Sequence, residues 1–228
     1  MRTDDKEIEM TSVTLTQAGA TRHVPTAGLL AAGAASGPLF LAVSLAQVLT
    51  RDGFDLSRQP LSLLSLGDHG WIQIANFVLS GLLALAGAAG LRRALRGGPA
   101  GTWGPALVAV SGVGFIVAGA LRADPSMGWP AGAPEGSPET MSWHSVGHGV
   151  GAMLAFGSLT VACLVFARRF QRLGERGWAL FSVLCALATV VVMAWPDEGS
   201  MSIRLVLSSV SIFGWLSAVS VRIRGNLS

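Results

Sequence analysis

Six apolar stretches divide this chain, at 27–49, 71–91, 104–121, 143–167, 178–195 and 205–221, and they leave it few ways to fold. About 20 apolar residues let a helix cross the hydrocarbon of a bilayer, and shorter spans are accommodated by local thinning. Inside that hydrocarbon only helices and closed barrels satisfy their own backbone. Charged residues make up 13% of the chain, against about 25% in soluble domains. Glycine, alanine and serine fill the stretches and let neighbouring helices approach closely. The expected fold is therefore all-α: a polytopic membrane protein, a six-helix transmembrane bundle with the lipid bilayer as its partner. Residues 27–228 read as one transmembrane domain. Residues 1–26 read as a flexible cytoplasmic tail, since MRTDDKEIEM has no basic-then-apolar signal pattern.

The net charge is +3, but the arginines lie in short connections rather than along one stripe. Nucleic acid is therefore not expected as a partner. Cys163 and Cys185 both fall within spans and read as small packing residues. Arg2, Lys6, Arg22, Arg92, Arg93, Arg96, Arg168, Arg169, Arg172, Arg176, Arg222 and Arg224 gather on one set of connections. Arg51, Arg58, Arg122 and Arg204 lie on the other. The positive-inside rule then puts both termini in the cytoplasm of a multi-pass cell-membrane protein. Trp71, Trp143 and Trp195 fall at the outer interface, and Trp103 and Trp178 at the inner one, as an aromatic belt requires.

The outer connections hold the chemical variety. His144 and His148 stand four apart in SWHSVGHG, which on a helix places both rings on one face. Such a pair can ligate zinc, with His69, Asp68, Asp124 or Asp197 as a third ligand. The structural alternative is a hydrogen bond from each ring to a neighbouring helix or acid. Asp124, Asp197 and Asp68 are the candidate catalytic acids or bases. Asp68 and His69 serve equally well as the cap of the second span. Arg51, Arg58, Arg122 and Arg204 are candidates for binding an anionic substrate, with Asn76 and Trp143 beside them. The alternative for these arginines is pairing with Asp52, Asp55, Asp124 or Asp197, and for Asn76 a hydrogen bond across helices. Residues 60–66 are amphipathic and suit a segment that folds back or lies at the interface. The proline- and glycine-rich loop 122–139 can close over a cavity.

The stretches RDGFDLSRQPLSLLSLGDHGWIQIANF and RADPSMGWPAGAPEGSPETMSWHSVGHG resemble the signature segments of a prokaryotic membrane family, domain of unknown function 998. The resemblance runs from about Ala27 onward. It implies a six-helix integral membrane protein and no particular activity.

Three function classes remain open. One is an enzyme with an extracytoplasmic-facing polar pocket. With zinc bound, it would hydrolyse a lipid amide or ester through a metal-activated water, resembling in its His-x-x-x-His element the alkaline ceramidases and adiponectin-receptor-like proteins. Without metal, a protonated Asp124 or Asp197 would start cyclisation or isomerisation of an isoprenoid, as small membrane terpene cyclases do. The second class is a small-molecule transporter, disfavoured because few ionisable residues lie deep in the spans. The third is a non-enzymatic protein that binds a lipid or a partner.

Overall fold

A computed structural model describes residues 24–95 and 97–227. The tail read at 1–26 lies, up to residue 23, outside the described residues, as does Arg96. Six long helices account for most of the chain: α1 (Thr26–Thr50), α2 (Gly70–Ala94), α3 (Gly98–Ala120), α4 (Trp143–Arg172), α5 (Arg176–Ala194) and α6 (Met201–Gly225). All are long and apolar enough to cross a membrane. Among the described residues the extended structure is one isolated bridge, Ser126 to Trp129. Each helix packs on the next, and α6 closes the ring against α1. One end of the bundle carries the long connections 51–69 and 121–142 and the short turn 195–200 (the capped end). The other carries the brief connections 95–97 and 173–175 and is rich in arginine.

The helices pack with small groups inside and large aliphatic groups outside. In α5 the buried residues are Ser182, Cys185, Ala186 and Thr189, while Leu180, Leu184, Leu187 and Val191 are exposed. Lipid solvates the outer face as well as a core would, so close backbone approach holds the helices together. A Cβ built on Gly33 of α1 would sit 2.7 Å from the Cα of Gly87 of α2. One on Gly114 of α3 would sit 2.6 Å from the carbonyl oxygen of Gly151 of α4. At these two crossings only glycine fits.

Two prolines lie inside helices, Pro38 in α1 and Pro105 in α3. Each lacks the N–H that would bond the carbonyl four residues back, and in a bilayer that carbonyl needs another donor. Both are rescued from a neighbouring helix. Ser217 Oγ of α6 donates to Ala34 O at 2.7 Å. Arg92 Nη1 of α2 donates to Gly101 O at 2.6 Å. Pro105 also explains why α3 begins at Gly98 rather than at the expected 104: the rescued carbonyl lets the helix run through the proline.

At the capped end the two long loops fold onto each other. Residues 60–66 form a 3-10 turn, Leu61–Ser65, which folds back and buries Leu61, Leu63 and Leu64. Trp129 of the second loop is 7% exposed and packs with Leu63 and Leu66. Its indole N–H donates to Leu63 O at 2.9 Å, and Phe54 meets it edge-on at 5.2 Å. Gln59 Nε2 crosses to Met127 O at 2.8 Å.

Candidate functional site

Below this cap the bundle forms an open cavity of about 80 Å³. Its walls are Phe40 of α1, Phe77 of α2, Phe115 of α3 and Phe156 of α4. Pro60, Leu61 and Ser62 form part of its lining from the cap, and Leu205 and Ser209 of α6 lie on a further side. The phenylalanines interlock: Phe40 lies 5.1 Å from both Phe77 and Phe115, and Phe115 lies 4.9 Å from Phe213. The α4 and α6 walls touch each other only lightly.

Among the described residues, His148 is the one titratable side chain lining this cavity. Its Nδ1 lies 2.7 Å from Ala118 O and 3.1 Å from Leu121 O, at the end of α3. Carbonyls only accept, so Nδ1 carries the proton and donates to them. Nε2 is left uncommitted. The ring also stands edge-on to Phe77 at 6.0 Å. The alternative that gave His148 a hydrogen bond to a neighbouring helix therefore describes it correctly.

Of the rest of the expected zinc set, His144 and Asp124 share the Ser142 hydroxyl, and neither lines the cavity. His144 is exposed, stacks on the exposed Trp143 with centroids 3.9 Å apart, and has Nδ1 3.4 Å from Ser142 Oγ. Asp68 and His69 are exposed. His69 occupies the cap position of α2 without a side-chain cap bond, so neither residue caps that helix through its side chain. Among the described residues no three of His, Cys, Asp and Glu are grouped to hold a metal ion.

Asp124, Asp197, Arg51 and Arg204 at this end hold backbone in place. Asp124 accepts from the Ser142 N–H at 2.7 Å and the Ser142 hydroxyl at 2.6 Å. Ser142 in turn caps α4 by accepting from the Ser145 N–H. The Ser142 hydroxyl and N–H hold the Asp124 carboxyl below the usual carboxylate range. The Ser200 hydroxyl and the Gly199 N–H do the same for Asp197. Two acids expected to stay protonated for acid-initiated chemistry are thus biased towards the ionised form.

Arg51 donates to Leu64 O at 2.5 Å and Leu66 O at 2.7 Å, with its guanidinium 4.9 Å from the centre of the Trp129 ring. Arg204 is 7% exposed and donates to Met193 O, to Trp195 O and, at 2.5 Å, to Asp197 O. It therefore meets Asp197 through the backbone of that residue, not its carboxylate, and closes the end of α5. Arg58 pairs with Glu135 at 2.9 Å on the surface. Arg122 is exposed, and the expected pairing with Asp124 is replaced by the bonds from Ser142.

Asn76 does bond across helices, donating to Phe40 O at 3.0 Å and Ser44 Oγ at 3.2 Å. It belongs to a buried cluster that sequence reasoning missed. Gln47 Nε2 donates to Gln73 Oε1 at 2.7 Å, and Gln73 Nε2 donates to Ser44 Oγ at 2.9 Å. The available signal was the spacing of Gln73 and Asn76 on one face of an apolar helix. The aromatic wall had no such signal, since its phenylalanines come from separate helices.

The sequence profile of a family described as "Protein of unknown function (DUF998)" matches residues 34–222. No curated protein and no solved structure matches the chain.

Proposed function

From the premise that the chain belongs to the domain of unknown function 998 family, a membership that carries no activity, we propose that it binds an apolar small molecule in the cavity below the cap. The ligand is a lipid or isoprenoid chain bearing one hydroxyl or amide donor. Binding is not coupled to chemistry, and the capped end faces away from the cytoplasm of the cell membrane. The carrying observation is His148: a half-buried imidazole, oriented by two α3 carbonyls, in an otherwise aromatic and aliphatic cavity. Largely apolar pockets with one placed polar group are the usual form of a small-molecule site. The uncommitted Nε2 is an acceptor for a ligand donor.

Entry is from the bilayer, between α4 and α6. Their contact is slight, and Val150 and Met153 on α4 and Ile203 and Leu207 on α6 present apolar groups outside. The geometry favours binding over zinc hydrolysis, because His144 and His69 stand apart from the cavity lining. It favours binding over acid-initiated cyclisation, because Asp124 and Asp197 are held towards the carboxylate form.

The test is extraction and mass spectrometry of lipids retained by the purified protein, compared with Ala152→Phe and His148→Ala. Ala152 lines the cavity, so Phe there should expel the retained molecule while the protein stays folded. His148→Ala should weaken retention about tenfold, the worth of one good hydrogen bond. Equal retention of the same lipids by folded Ala152→Phe would show that the cavity is not their site.

A further inference from the structure

A second cavity, open and of about 180 Å³, lies at the arginine-rich end between the start of α3 and the end of α4. We propose that it is a headgroup site for an anionic phospholipid. Arg168, Arg169 and Arg172 line it, together with Gly98, Ala100, Val165 and Leu173. Arg168 and Arg172 are one helical turn apart and share a face. None of the three guanidinium groups has a hydrogen-bond or ion-pair partner among the described residues, whereas those of Arg92, Arg93 and Arg222 at the same end all do. No carboxylate lines the cavity.

The three arginines stand in or beside the last turn of α4, and an anion bound between them would offset their mutual repulsion. Planar forks match phosphate oxygens two at a time. The start of α3 adds partial positive charge. Gly97 and Gly98 enter it with φ of 76° and 72°, and no side chain caps its first turn. The source of the phosphate is argued from the walls and the level. Val165, Leu173 and Ala100 offer an apolar floor suited to the first carbons of an acyl chain. Trp103, just inside α3, is 63% exposed, as expected of a side chain at the headgroup layer. A basic pocket between helices at that level suits a phospholipid better than a free ion.

The test is native mass spectrometry of the full chain released from detergent, with phosphatidylglycerol and phosphatidylcholine of equal chain length as competing probes. The wild type should retain phosphatidylglycerol about tenfold over phosphatidylcholine. Arg168→Gln/Arg169→Gln/Arg172→Gln removes the charge that tells the anionic lipid from the zwitterionic one, so it should lose most of that preference. Arg176→Gln/Arg224→Gln, at exposed positions outside the cavity, should keep it. Equal retention of both lipids by the wild type would overturn the proposal, and that result needs no variant to fold. So would an unchanged preference in the triple variant, which would leave the arginines as topology signals alone. Displacement of phosphatidylglycerol by inorganic phosphate at matched concentration would assign the forks to a soluble anion and overturn the lipid reading.

Discussion

The two ends of the bundle spend arginine differently. At the capped end Arg51 and Arg204 are each wrapped in backbone carbonyls, and each fixes a piece of chain that has left its helix. At the other end the connections are too short to need fixing. There the guanidinium groups of Arg168, Arg169, Arg172, Arg176 and Arg224 have no partner among the described residues. Arginine at a membrane surface is therefore not one kind of signal. At the long loops Arg51 and Arg204 satisfy stranded carbonyls. At the short ones most guanidinium groups meet no partner among the described residues. Arg92 is an exception, since it lies at the arginine-rich end and still supplies the donor that Pro105 removed.

The comparison predicts that the cap unfolds as a unit. Trp129→Ala removes the donor to Leu63 O, the ring under Arg51 and the partner of Phe54 together. A large-to-small change at such a site costs about 3–5 kcal/mol. Because Trp129 packs against residues of the two loops, Leu63, Leu66 and Phe54, the loss should appear as hydrogen exchange and protease nicking within 51–69 and 122–139. Protection in α5 and α6 should hardly change. Uniform destabilisation of all six helices would break the distinction between the two ends.

Arg204 gives the next largest effect. Arg204→Met leaves three carbonyls of the 193–197 turn without their charged donor. Hydrogen bonds from charged groups contribute about 1.5–3 kcal/mol, and the loss should be visible in thermal unfolding in detergent. Arg176→Met, at an exposed position, should move the transition by less than a quarter of that.

Arg51→Lys sharpens the contrast further. Lysine keeps the charge but cannot reach two carbonyls in fork geometry, so a loss of about 1 kcal/mol is expected. Arg168→Gln should leave stability unchanged and alter lipid preference alone. A stability loss at Arg168 as large as at Arg51 would mean that both ends use arginine to hold backbone.

Much of the fold was legible because bilayer thickness and backbone satisfaction permit few alternatives. The six spans lie where the apolar runs lie, with α4 beginning at Trp143 as expected. The boundaries that moved did so for local reasons, such as the rescued carbonyl behind Pro105. The site was less legible. Its expected residues were chosen for charge, and charge at the capped end turned out to be occupied with loop carbonyls and helix caps. His148 was found because an imidazole inside a span is conspicuous. Phe40, Phe77 and Phe115 were not, because an aromatic in an apolar run looks the same whether it faces lipid or a cavity. The fold-back of 60–66 was legible from its amphipathic pattern. Its partner Trp129, sixty-odd positions away in a loop, was not.

The smallest expected effect concerns acid. Asp124 joins the second loop to the cap of α4 through both bonds from Ser142, and its carboxyl is held below its ordinary value of 3.8. The folded state thus takes up this proton less readily than the unfolded chain. The clamp contributes fully above that ordinary value, and its contribution is lost as pH falls through the lowered folded value. Asp55 and Asp197 are shifted the same way, by Ser57 and by Ser200, so acid should loosen the cap at several points. Protease nicking of 122–142 should therefore rise on acidification below about pH 4, measured with an acid-active protease. Asp124→Asn keeps one acceptor oxygen but cannot titrate. It should show more nicking at neutral pH and a shallower rise in acid. A rise as steep as in the wild type would assign the acid response to Asp55 and Asp197 and leave Asp124 as a neutral-pH tether only.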